Sequence, residues 1–131
     1  MEREIKFRGL PFGKGLGWQY GYLIKQMYRG KEKFYVGYVQ NGVIMGIEVD
    51  PYTIGQYMEL KDSTGKEIYE GDIVTIGLCT ALVTWNEELA TFALQFDFED
   101  KVGRKPLGEW EDVIVIGNIH ENPELIKGNK I

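Results

Sequence analysis

A single cysteine, Cys79, and a single histidine, His120, are the side chains in this sequence best suited to nucleophilic or acid–base chemistry. They could form a Cys–His pair, because such partners can be distant in sequence and adjacent in space. Neither lies in a recognisable motif, and Cys79 falls in the apolar run LCTALVTW, where an inert buried thiol is expected. One Cys and one His cannot close a structural zinc site within one chain, and a lone Cys cannot make an intramolecular disulfide. Carboxylates gather at Glu87-Glu88, at Asp97, Glu99 and Asp100, and at Glu109, Glu111 and Asp112. Such groups could hold Mg2+ for phosphoryl transfer, but none has the spacing of a calcium loop, and adjacent acids in turns are commonly a solvated face. GKGLG (13–17) has neither Walker spacing nor the dinucleotide fingerprint. No cofactor or metal is expected, and an enzyme is the least favoured reading.

Binding chemistry is better represented. Trp18, Tyr20 and Tyr22 alternate along WQYGYLIK, so a strand would place them on one side as a possible stacking platform. Lys25, Lys31 and Lys33 follow, and Lys66 and Tyr69 belong to the central motif GKEIYEGDIV (65–74). These eight residues form the candidate binding surface. The net charge is −5, yet residues 1–35 hold eight cations against three carboxylates, and residues 36–100 hold two against twelve. Cations interleaved with aromatic rings suit nucleic acid, since cations neutralise phosphate while rings stack on bases. The chain as a whole is acidic and its cations form no dense run, which favours a basic segment packing on acidic protein surface, within the chain or between subunits. A protein partner or homo-oligomer is therefore the first expectation, with nucleic acid as the alternative.

The elements that must position these residues read mostly as strands. Residues 3–8 alternate, with Ile5 and Phe7 on one face, and GLPFGKGLG (9–17) is a loop. RGKEK (29–33) reads as a charged turn. KFYVGYVQ, Asn41-Gly42 and VIMGIEV form a hairpin, because Asn-Gly supplies the two positive-φ residues of a type I′ turn. Gly37 and Gly46 then lie nearly opposite, thinning one face so that something bulky can approach. Asp50-Pro51 ends the second strand. Residues 54–60 fit either a strand or a helical turn. Asp62 to Gly65 is a tight turn, and Gly71 bends the chain before Asp72, whose carboxylate can accept from nearby backbone N–H groups while Ile73 and Val74 enter the core. Residues 78–85 and 91–98 form two further strands, with Phe92, Leu94, Phe96 and Phe98 on one face; 99–109 is a mobile loop and 110–119 a last strand. Asn122 is a candidate N-cap with Pro123 at the first helical position, and Gly128 stops the helix after about a turn. With 17 of 131 residues, glycine is nearly double its average of about 7%, as suits a chain of many turns.

VDPYTIGQYMELKDSTGKEIYEGDIV (49–74) and IGNIHENPEL (116–125) resemble the signatures of the YopX family of phage and prophage proteins. REIKFRG (3–9), WQYGYLI (18–24) and VTW (83–85) with Phe92 resemble its remaining strands. One departure is Met58-Glu59, where the family more often has a small polar residue followed by Gly. The resemblance implies a mainly β protein with a barrel-like part and assigns no activity. The expected architecture is one YopX-like domain over 1–131: an added N-terminal antiparallel sheet (1–50), an SH3-like barrel portion (54–98), and a closing strand with a short C-terminal helical turn (110–131). No run is apolar enough to span a membrane and MEREIKFR is no signal peptide, so a cytoplasmic location in a bacterial host is expected.

Overall fold

A computed structural model describes residues 4–13, 15–77, 79–88, 90–96, 104–106 and 112–127. Arg3, Lys14, Asp97, Phe98, Glu99, Asp100, Glu109, Glu111 and Gly128 lie outside them, as does most of the 99–109 loop. The chain divides into two units, Met1–Tyr57 and Met58–Ile131. Both are built from antiparallel strands, and the fold is mainly β.

In the first unit the strands are β1 (Phe7–Gly9), β2 (Gln19–Tyr28), β3 (Lys31–Gln40), β4 (Val43–Glu48) and the start of β5 (Gly55–Lys61). They lie side by side in the order β4-β3-β2-β1-β5. Asn41 (φ 52°) and Gly42 (φ 77°) close the β3–β4 hairpin as a two-residue turn, with Gln40 opposite Val43. Arg29 (φ 53°) and Gly30 (φ 79°) do the same between β2 and β3. The charged turn expected at 29–33 is therefore only two residues long, and Lys31 to Lys33 belong to β3, opposite Tyr28 to Gln26. Gly37 and Gly46 are direct partners. A Cβ on Gly37 would strike the Met45 carbonyl oxygen and approach the Gly46 Cα to 2.6 Å, so the glycines let the backbones close together rather than clear a face for something bulky. Asp50 ends the hairpin: its Oδ1 accepts from the Tyr52 N–H (3.0 Å) at a 3-10 turn over Pro51–Thr53. Thr53 Oγ1 accepts from the Leu10 N–H (2.8 Å) and donates to the Asp50 carbonyl (2.7 Å).

Of residues 54–60, Gly55 onward resolve as strand, and Ile54 closes the 3-10 turn before it. Glu59, the second residue of the departure from the family pattern, has φ +66°, a left-handed conformation that favours glycine. Glu59→Gly is expected to be more stable than Glu59→Ala by about 1 kcal/mol, measured as a difference in denaturant midpoints; the Ala comparison removes the side chain from both sides.

The second unit carries the rest of β5, then β6 (Glu67–Tyr69), β7 (Asp72–Ile76), β8 (Cys79–Asn86), β9 (Thr91–Phe96), β10 (Arg104–Pro106), β11 (Val113–Asn118) and the single-turn α1 (Glu124–Lys127). Its five-stranded sheet has the order β10-β9-β8-β7-β11. The end strands β10 and β11 do not pair among the described residues, so the sheet is open where a closed SH3-like barrel was expected. Residues 104–106 form a strand on β9, within the stretch read as a loop. The core gathers Met58, Ile68, Val74, Ala81, Val83, Leu94 and Val113, with Phe92 and Val115 packed against it. Each Val, Leu, Ile or Met among these contributes roughly 1.5–3 kcal/mol on full burial.

Candidate binding surface of the first unit

Paired residues in an antiparallel sheet share a face, so the register sorts the candidate residues. Tyr22 faces Gly37, Ile24 faces Tyr35, Gln26 faces Lys33 and Tyr28 faces Lys31. One face thus carries Tyr20, Tyr22 and Tyr28 in a row on β2, with Lys31 and Lys33 beside them on β3. The three tyrosines are 53%, 62% and 52% exposed. Trp18 lies just before β2, half-buried, with the Arg8 guanidinium 4.2 Å from its ring centre. Lys25 is on the other face, opposite Phe34, because it is an odd number of residues from the tyrosines. That second face buries Val36 and Val49 and exposes Met27, Tyr38, Val43, Met45 and Ile47.

Several cations of this unit already have partners. Lys33 Nζ lies 3.6 Å from Glu48 and 6.0 Å from the Tyr28 ring, Lys25 lies 3.3 Å from Glu32, and Arg29 lies 5.3 Å from the Tyr28 ring. Lys6 Nζ is 3.2 Å from Glu4 and 5.4 Å from the Tyr57 ring. Exposed pairs of this kind contribute up to about 1 kcal/mol each, but they also lower the positive potential that would attract phosphate. An open hollow of about 410 Å³ lies beside the tyrosine row, lined by Glu4, Ile5, Lys6, Gly21 and Tyr22. Its carboxylate and its ammonium group face one another as an ion pair, which suits a contact surface better than proton transfer.

The second unit receives the remaining candidates. Tyr69 is only 2% exposed; its N–H donates to Asp72 Oδ2 (2.7 Å) and its hydroxyl donates to Glu67 Oε1 (2.9 Å). It is a core residue and cannot contribute to a binding surface. Lys66 is exposed, and its N–H donates to Asp62 Oδ1 (2.9 Å). Cys79 is exposed at the start of β8, not buried, because it follows directly on the turn from β7. Cys79 pairs with Ile76 at one end of β7, whereas His120 follows Asn118, which pairs with Asp72 at the other end. The length of β7, roughly 13 Å at about 3.3 Å per residue, therefore separates them, and no nucleophile–base pair forms.

The signature segments act in local architecture. Asp62 is 6% exposed. Its Oδ1 accepts from the Thr64 N–H (2.8 Å) and hydroxyl (2.7 Å), and its Oδ2 accepts from the N–H of Val115 (2.9 Å), fifty-three residues away. Burial alone would push its pKa up; the hydrogen bonds from Val115, Thr64 and Lys66 outweigh this and bring it down to about 2. Gly71 (φ +96°) makes the expected bend, with its N–H donating to Val83 (2.9 Å) and its carbonyl accepting from Ile119 (2.8 Å). In the second signature, Asn118 Oδ1 accepts from the His120 and Glu121 N–H groups. The Asn122 side chain accepts from the Asn118 N–H (3.2 Å) and ties the turn to β11, while its carbonyl accepts from the Leu125 N–H (3.0 Å) where the helical turn begins.

Residues missed by sequence reasoning are Tyr28 and the exposed apolar row of β4. For β4 the only signal was the alternation of Val43, Met45 and Ile47, which is also that of a core face, beside a strand, YVGYVQ, that is apolar at both parities; for Tyr28 it was the even spacing from Tyr20 and Tyr22.

Comparison with known proteins completes the picture. The family model for YopX protein matches residues 20–127. Among solved structures, the crystal structure of protein EF1440 from Enterococcus faecalis is similar at 23% identity and a TM-score of 0.47, covering 95% of this chain and 99% of that one. No curated protein matches.

Proposed function

The chain belongs to the YopX family, and because the family's signature residues serve here in turns and in tying down β11, we propose that its function is carried by the sheet that they leave exposed. It is a non-catalytic binding or assembly module, and β2, β3 and β4 are its contact surface. The observation carrying this reading is that tyrosines are exposed on one face of that sheet while Met27, Tyr38, Met45 and Ile47 are exposed on the other. Exposed apolar surface on both faces of one sheet favours interaction with another protein. Kinship with the family further supports a phage or prophage origin and work in the cytoplasm of the bacterial host.

A second reading, single-stranded nucleic acid on the tyrosine face, is favoured by the alternating Tyr20 and Tyr22, whose rings could stack on successive bases. The internal pairing of Lys25, Lys33 and Lys6 weighs against it.

One experiment separates the two. Immobilised intact protein and a Tyr20→Ala/Tyr22→Ala/Tyr28→Ala variant are compared for capture from bacterial host extract, with and without nuclease. The binding-module reading expects a protein retained after nuclease treatment and reduced at least about tenfold by the variant, as loss of exposed aromatic anchors would give. Capture lost on nuclease treatment supports the second reading; equal capture by both proteins contradicts the assigned surface.

A further inference from the structure

The outer edge of β4 is specific about what it can accept. A two-residue hairpin loop makes Gln40–Val43 a hydrogen-bonded pair, and alternation makes Tyr38–Met45 and Val36–Ile47 hydrogen-bonded as well. The 2.9 Å bond from the Val49 N–H to the Phe34 carbonyl continues the same series. The backbone groups of Ile44, Gly46 and Glu48 therefore point away from β3; among the described residues no strand pairs with Ile44 or Gly46, while Glu48 stands beside the bridge between Pro11 and Val49. This open edge has fixed ends. The turn at Asn41-Gly42 bounds one, and the bridge between Pro11 and Val49 covers the other. Its middle is Met45.

The side chains repeat this symmetry. Val43, Met45 and Ile47 share a face and are 57%, 43% and 40% exposed. The stretch has no proline or lysine, the residues that commonly protect an edge strand from pairing. From this, and resting on the binding-module reading, we propose that the β4 edge pairs antiparallel with β4 of a second copy of this chain, about a two-fold axis through Met45. In that register Ile44 lies opposite the second copy's Gly46 and both exchange N–H···O=C bonds, while Val43 lies opposite Ile47 and Met45 opposite itself. Glu48 falls opposite Gly42, so no two like charges meet. Moving the axis one residue along, to Gly46, would require Val49, whose edge Pro11 already occupies. The interface is isologous and closes as a dimer, because each copy uses its one open β4 edge.

The intact chain should show twice its 15.0 kDa mass in light scattering as concentration rises, and Met45→Lys should weaken the association at least about tenfold by setting two ammonium groups face to face. A second measurement does not depend on that variant. At a non-hydrogen-bonded antiparallel pair the Cα atoms are about 4.5 Å apart, within disulfide range. Met45→Cys in a Cys79→Ser background should therefore cross-link rapidly under mild oxidation. Val39→Cys in the same background should not, since β3 is roughly 14 Å from its copy across three strand spacings. A monomeric mass at every concentration, or Met45→Cys cross-linking no faster than Val39→Cys, overturns the proposal. A monomer that still captures a protein through its tyrosine face would remove this pairing alone; loss of both would remove the binding reading too.

Discussion

Asp62→Ala is expected to destabilise the second unit by about 3 kcal/mol, lowering its melting temperature by roughly 12–24 °C. The carboxylate is the shared acceptor of the turn it opens, serving the N–H groups of Thr64 and Lys66, and it reaches Val115 on β11. Truncation leaves the Val115 N–H without this acceptor in a half-buried position, where water compensates poorly. Asp62→Asn keeps one acceptor oxygen and should cost about half as much. The pKa makes a related prediction. It is lowered from 3.8 to about 2 in the fold, so the carboxylate's contribution is fully present above the unfolded value and is lost as pH falls through the folded one. With water partly screening the turn, that contribution is about 1–2 kcal/mol. The wild-type chain should therefore lose stability between about pH 4 and pH 2 more steeply than Asp62→Asn, as followed by chemical unfolding at each pH. Parallel curves for the two proteins would contradict this role.

Gly37→Ala is expected to cost the first unit about 3 kcal/mol. Gly37 has φ +158° and is the partner of Gly46, whose own Cβ would lie 2.5 Å from the Val36 carbonyl oxygen. A methyl group at Gly37 meets backbone atoms of β4, which cannot turn aside as a flexible side chain can. Gly42→Ala is the control: nothing lies within 4 Å of its Cβ position, and only the positive φ of +77° opposes it, at about 1 kcal/mol. Thermal unfolding followed in the tyrosine near-ultraviolet bands should rank Gly37→Ala well below Gly42→Ala. Equal losses would mean that the close approach of β3 and β4 contributes little. Because β4 must sit tightly on β3 to present its outer edge, Gly37→Ala should also weaken self-association.

The parts of this fold visible in the sequence are those determined by a few neighbouring residues. Asn41-Gly42 specifies its hairpin and Gly71 its bend through backbone preference, and Asp62 to Gly65 its turn and Asp50-Pro51 the end of β4 with the added help of an aspartate side chain that accepts from nearby N–H groups. Misread parts depended on distant chain. Lys31 to Lys33 look like a turn until β2 pairs with them. Cys79 has apolar neighbours, yet its place beside the β7–β8 turn exposes it. Tyr69 resembles a surface tyrosine beside Lys66 until Asp72 and Glu67 bind its polar atoms. The open sheet could not be told from a barrel because it depends on β11 pairing with β7, with a bulge between Val115 and Gly117.

The candidate site was half legible. Strand alternation correctly grouped Tyr20 with Tyr22, and the same parity separates Lys25 from them. The apolar β4 edge went unread as a surface because Val43, Met45 and Ile47 have the pattern of a core face. Only the order of strands shows that nothing follows β4 among the described residues.

The claim that this protein works by contacts through its β2–β4 sheet is tested most directly by amide hydrogen exchange on the isotopically labelled intact chain. Exchange is followed by NMR at rising concentration and then in bacterial host extract. The account predicts slowing at Ile44, Gly46 and Glu48, whose N–H groups point outward, with amides of β7 such as Ile73 unchanged. Exchange at these three amides that stays fast and constant at every concentration and in extract would contradict it.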